Sequence, residues 1–192
     1  KGLAKPYVIL HSGAVSNWEM FDKDFKTFRR LPKVPSSDYC FFHSDKETVS
    51  VEKYNADTKM WTMINGMHKA RKFSSGCFLR GKFYVLGGRD DNDKHLTCGE
   101  SYDETTNSWE LIPDMLKDMT VIVHSQSPPL IAVVDDNLYM LETSLNELRV
   151  YDINTNIWKK LGVVPVSANA AFGWGIAFKS MGDRLLVIGT SH

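Results

Sequence analysis

Cysteine is scarce in this chain. The three residues Cys40, Cys77 and Cys98 are odd in number and far apart, with no C-x-x-C pair. That excludes a disulfide framework and is the pattern of reduced thiols in an intracellular protein, in the nucleus or the cytosol. Long apolar runs are missing too. Tyr7–Leu10, Leu130–Val134 and Leu185–Ile188 stop at four or five residues, whereas a membrane-spanning helix needs about 20. The basic start, Lys1 to Lys5, precedes only four apolar residues, too few for the apolar core of a signal peptide. Net charge is also absent, with 23 Lys+Arg against 23 Asp+Glu, so neither nucleic acid nor an anionic membrane is an expected partner. The first residue is Lys rather than Met, and the chain is expected to be a fragment of a longer protein.

What the chain does have is 192 residues, 43% of them hydrophobic, enough to bury a core without disulfides or a structural metal. It also has a repeat. Tyr54, Tyr102 and Tyr151 lie 48 and 49 residues apart, and each is followed seven residues later by a tryptophan: Trp61, Trp109 and Trp158. Thr58, Thr106 and Thr155 share one column between them. Phe21 and Phe28 keep the same spacing upstream, as a degraded fourth copy. Each aromatic closes a β-favouring segment and leads into an Asn/Asp/Thr-rich turn, where an Asp or Asn can bond the backbone two residues on. The tryptophan opens the next strand.

Two further strands precede each such pair. They are read as Ser74–Leu79 and Lys82–Leu86 across Arg80-Gly81, as Leu130–Val134 and Leu138–Leu141 across Asp135-Asp136-Asn137, and as Trp174–Phe178 and Leu185–Ile188 across Gly182-Asp183. One period is therefore four short antiparallel strands, the blade of a β-propeller.

The run Glu52-Lys53-Tyr54…Trp61…Met67…Arg71…Gly81-Lys82-Phe83-Tyr84-Val85-Leu86-Gly87-Gly88 resembles the kelch repeat. Leu96–Glu100 and Phe172–Phe178 are similar to the plant F-box/kelch-repeat proteins in particular. The expected fold is all-β, an incomplete kelch-type propeller with about four blades' worth of strands, spread over residues 1–192 as repeat units around 6–32, 39–64, 74–113, 130–162 and 173–190. The spacing breaks in one place. Trp61 to Tyr102 and Trp109 to Tyr151 are 41 and 42 residues, but Phe28 to Tyr54 is only 26. An internal deletion or alternative splice near Glu47-Thr48 is the expected cause, a degenerate, loop-poor blade being the alternative; what is missing is a hairpin if one blade is intended, or a hairpin plus a whole blade if the family's longer arrangement is the parent.

No chemistry-bearing constellation emerges. Gly87-Gly88 is followed by no helix and no G-x-x-x-x-G-K-[ST], so these glycines serve close backbone approach and positive φ at a strand end. The six histidines form no H-x-H or H-x-x-x-H pair. Asp91 and His95 have the spacing of the last two ligands in the Glu-x-x-x-Asp-x-x-x-His iron site of some plant kelch enzymes, but Gly87 stands where the Glu would be. No metal, cofactor or catalytic residue is expected. Cys77 and Cys98 read as small packed hydrophobes, and Leu111–Leu116, although F-box-like at a glance, falls in register with the repeat.

The candidate partner-binding loops are Lys69, Arg71 and Lys72 on the connector between blades, and Arg89, Asp90, Asp91, Asp93, Lys94 and His95 at the tip between strands two and three. The resemblance implies a non-catalytic protein-recognition module, the substrate-selecting half of an F-box adaptor of an SCF-type ubiquitin ligase. A Skp-family subunit would be engaged only through an F-box that these residues do not contain. A kelch-scaffold metalloenzyme and a cytoskeletal or scaffold binder are the alternative expectations.

Overall fold

The computed structural model describes residues 7–11, 18–22, 28–30, 44–45, 48–49, 51–55, 58–119, 127–165 and 176–189. All the regular structure described is β-strand. The strands in chain order are β1 (Tyr7–His11), β2 (Trp18–Asp22), β3 (Phe28–Arg30), β4 (Ser44–Asp45), β5 (Thr48–Val49), β6 (Val51–Asn55), β7 (Met60–Ile64), β8 (Ser75–Leu79), β9 (Lys82–Leu86), β10 (Gly99–Asp103) and β11 (Ser108–Ile112). They continue as β12 (Leu130–Val134), β13 (Asn137–Glu142), β14 (Glu147–Asp152), β15 (Ile157–Val163), β16 (Ala177–Met181) and β17 (Arg184–Ile188).

The chain divides into two compact units, residues 1–41 with 52–64, and residues 42–51 with 65–192. In the first, β1, β2 and β3 form a three-stranded antiparallel sheet, and β6 pairs with β7. Phe21 and Phe28 are directly opposed across β2 and β3, as Tyr102 and Trp109 are across β10 and β11 and Tyr151 and Trp158 across β14 and β15. The degraded copy thus keeps the register of the intact ones. Tyr39–Phe42, read as an apolar patch, lies outside the described residues, and so do residues 166–175, including Trp174.

The second unit holds two complete blades, β8–β11 and β12–β15, each four antiparallel strands in sequential order, followed by the β16–β17 hairpin; the small β4–β5 hairpin also belongs to it. Strands begin within a residue of the sequence expectation except β16, expected over Trp174–Phe178 and found at Ala177–Met181, where Ile176 is already outside the strand. The second blade differs at its first turn: Asn137 is already strand, so the loop is only Asp135-Asp136, both at positive φ (48° and 54°). Arg80-Gly81 (φ 49° and 81°) has the same form. A two-residue loop with both residues left-handed matches the twist of the flanking strands.

The Tyr–Trp marker is an aromatic pair in each complete blade. Ring centroids of Tyr102 and Trp109 are 5.1 Å apart at 43°, and those of Tyr151 and Trp158 are 5.1 Å apart at 41°. Each tyrosine hydroxyl donates to an asparagine in its own turn, Asn107 Oδ1 or Asn156 Oδ1, at 2.9 Å. Both asparagines sit at positive φ, a conformation that asparagine tolerates better than most residues. Asp103 and Asp152 accept from the backbone N–H two residues on, at Thr105 (2.9 Å) and Asn154 (3.1 Å). Each indole N–H then leaves its own blade: Trp109 Nε1 donates to Asn65 O (2.7 Å) and Trp158 Nε1 to Met115 O (2.9 Å).

Between blades, alternate residues of β8 and β9 meet those of β12 and β13. Leu79, Tyr84 and Leu86 pack with Ile131, Leu138, Met140, Met115 and the Tyr151–Trp158 pair. The next interface repeats the pattern, with Ala132 and Leu141 against Phe178, Leu185 and Val187. Cys77 lines the first core, and burial pushes its thiol up to about 12.

Three outcomes follow. Leu138→Ala, at a site 1% exposed, should cost about 2–5 kcal/mol in urea unfolding, from lost burial plus a cavity. Trp158→Phe keeps most of the ring but strands the Met115 carbonyl, costing about 1–3 kcal/mol. The Cys77 thiol should resist an aromatic disulfide reagent at pH 8 until denaturant is added, because the reactive thiolate is suppressed.

Candidate functional site: a cleft between two blades

The connector that enters β8 is fastened by one buried carboxylate. Glu100, on β10, is fully buried. Its Oε2 accepts from His68 N–H (2.7 Å) and lies 3.0 Å from His68 Nδ1, while its Oε1 accepts from Lys69 N–H (3.0 Å) and Arg71 Nη2 (2.6 Å). Arg71 Nη1 donates to Gly87 O (3.0 Å) and Cys98 O (3.1 Å). Arg71, expected on a partner-binding loop, is therefore corrected to a structural residue: it is 1% exposed, and its charge is used inside the blade. Lys69 and Lys72 keep exposed side chains on the same connector.

The tip loop also organises itself. Asp90 Oδ1 accepts from Asn92 and Lys94 N–H, both at 2.9 Å, and Arg89 Nη1 pairs with Asp93 Oδ2 at 2.9 Å. Lys72 and Arg89 exchange two backbone hydrogen bonds of 2.8 Å, tying connector to loop. Gly88 makes this possible. It has φ 88°, and a Cβ there would stand 2.5 Å from Lys72 O. Asp91 and Lys94 project from the tip, while His95 is half-buried. Among the described residues, no group of three His, Cys, Asp or Glu stands together as metal ligands would.

Arg89 and His95 line a cleft of about 130 Å³ between the two complete blades. Its floor is apolar, from Leu116, Met119, Pro129, Leu130 and Met140, and its far rim is Glu142, Thr143 and Ser144. Glu142 occupies the column of Gly87. It is held by Arg149, whose Nε lies 2.7 Å from Glu142 Oε2 and whose Nη2 lies 2.8 Å from Glu147 Oε2. The Lys160 ammonium, bonded to Glu147 at 2.5 Å, is the main cause holding the Glu147 carboxyl below its ordinary range, with Arg149 adding to it. The cleft thus offers an apolar floor between two polar walls, one holding the Arg89–Asp93 pair and the other the Glu142–Arg149 pair. Sequence reasoning missed Glu142, Thr143 and Ser144. The available signal was the loss of Gly-Gly at that column.

Comparison with known proteins agrees with this architecture. The Kelch motif family model matches residues 70–116. The F-box/kelch-repeat protein At3g27150 of Arabidopsis thaliana is 48% identical over 259 aligned residues, covering all of this chain and 61% of the relative. At1g26930, of the same description and organism, is 29% identical, covering 91% of this chain and 59% of its own length. The chain thus spans about three fifths of these relatives. The solved structure of YjhT superimposes with a TM-score of 0.59 at 15% identity, covering 90% of this chain and 66% of that one, which shows a shared fold. With its Tyr–Trp period, four-stranded blades and these likenesses together, the chain belongs to the kelch-repeat family, among the F-box/kelch-repeat proteins of plants.

Proposed function

We propose that this chain is a non-catalytic protein-recognition module, the target-selecting kelch region of an F-box adaptor of an SCF-type ubiquitin ligase. The observation that carries the reading is the inter-blade cleft. Its floor can take a small apolar side chain, while the polar side chains of Arg89 and His95 on one wall and of Thr143 and Ser144 on the other can hydrogen-bond the groups flanking it. Rigid blades fix both walls, and loops on such a scaffold supply specificity. Lys69, Lys72, Asp91 and Lys94 extend the contact surface outward. The Skp-family subunit would be bound by an F-box outside these residues. That role requires the nucleus or the cytosol, and a tagged full-length protein found only in a secretory compartment would contradict it.

The cleft can be tested without unfolding the blade, because Phe73 at its rim is 46% exposed and Ser144 is exposed. Phe73→Glu and Ser144→Arg should each change unfolding free energy by no more than about 0.5 kcal/mol. Each should also lower recovery of co-purifying ubiquitinated targets from plant extracts at least about tenfold, the size of effect expected for a desolvated anchor site. An unchanged set of captured proteins would rule the cleft out as the recognition site.

A further inference from the structure

The connector that begins at Asn65 is tied to the β10–β11 turn by a pair of asparagines, Asn65 and Asn107, both in the second unit. Asn65 N–H donates to Asn107 Oδ1 at 3.2 Å, and Asn65 Nδ2 donates to Asn107 O at 2.5 Å. Asn65 O accepts the Trp109 indole N–H at 2.7 Å, so three groups of one residue hold this contact. Asn65 is nevertheless exposed to water, and the residue that follows it is Gly66. No other asparagine in the chain precedes a glycine.

That dipeptide is chemically reactive. Glycine has no side chain to shield its backbone nitrogen, and Gly66 N, bonded to the Asn65 carbonyl carbon, can close a five-membered ring on Asn65 Cγ. Gly66 N loses its proton and bonds to Cγ, and the Cγ–Nδ2 bond breaks to release ammonia. Water then opens the imide. Cleavage of the new bond to Cγ leaves aspartate. Cleavage of the bond to the backbone carbonyl carbon leaves isoaspartate, with the chain rerouted through Cβ. One water is consumed and one ammonia released, and nothing is oxidised or reduced. The next tie lacks this chemistry: Pro113 stands in the column of Asn65, and the amide donor is Asn156, which precedes the branched Ile157.

We propose that Asn65 is a modification site, converted spontaneously to aspartate and isoaspartate, and that its two bonds to Asn107 set the rate. To close the ring, the Asn65 side chain must leave Asn107 O and turn toward Gly66. The clamp opposes this, and each local opening permits it. Exposure lets water in and ammonia out. Both products lose the Nδ2 donor, and the aspartate product sets a carboxylate against the Asn107 carbonyl. Isoaspartate also turns the carbonyl that accepts the Trp109 indole into part of a free carboxylate, and lengthens the connector by one methylene. Either way the connector is held less tightly against β10–β11. The inference is independent of the recognition role.

Peptide mapping of the 192-residue chain, incubated for days at pH 8, should find the amide-to-acid mass gain first in the peptide carrying Asn65. An isoaspartyl methyltransferase, used as the probe, should label the same peptide. Asn107→Gly keeps the left-handed turn that Asn107 occupies at φ 48° but deletes the Oδ1 acceptor. It should speed the gain about fivefold, the worth of one hydrogen bond. Gly66→Ala should suppress the gain. Asn65→Asp, made directly, should exchange the Trp109 indole hydrogen about tenfold faster than the fresh parent chain, because the connector that accepts it is loosened. No gain at Asn65, an earlier gain at another asparagine, a rate indifferent to Asn107→Gly or Gly66→Ala, or unchanged indole exchange in Asn65→Asp would each overturn the inference.

Discussion

The indole N–H of the repeat tryptophan ties one blade to the next, and the repeat depends on it. The ring packs at a tilt against its own blade's tyrosine, while its nitrogen reaches the connector of the copy before, at Asn65 O and Met115 O. A buried indole needs an acceptor, and the connector carbonyl needs a donor because it lies off the sheet ladder. One bond satisfies both. The turn asparagines add to the tie: Asn156 Nδ2 donates to Pro113 O at 2.9 Å, and Asn65 Nδ2 to Asn107 O at 2.5 Å. Tyrosine, asparagine and tryptophan thus act as a unit, with the tyrosine hydroxyl fixing the asparagine that braces the neighbour.

The polar interior varies where the aromatic frame does not. In the β8–β11 blade the acid Glu100 is on strand three and its cation arrives from the connector as Arg71. In the β12–β15 blade the strand-three column holds Arg149, and the acid Glu142 has moved to the end of strand two. An ion pair persists, with its polarity reversed. Breaking either pair by removing one member leaves a buried charge and costs about 3–5 kcal/mol, so the two columns constrain each other within a blade. The reversal also gives the inter-blade cleft a polar wall. The Gly-Gly end of the first blade would have left that side apolar.

Most of the fold was legible because it rests on spacing. Seven residues from Tyr102 to Trp109 and from Tyr151 to Trp158 place each pair directly opposite across a turn, and even Phe21 and Phe28 obey it. The positive φ of Gly87 and Gly88 was equally readable at a strand end; a Cβ at Gly88 would meet the Lys72 carbonyl, and one at Gly87 the Pro129 ring. The site was not. Arg71 looks in sequence like any basic loop residue, because its burial depends on Glu100, 29 residues away and brought near only by the blade. Lys69, two residues earlier on the same connector, is exposed. Charge alone does not say which of them faces in.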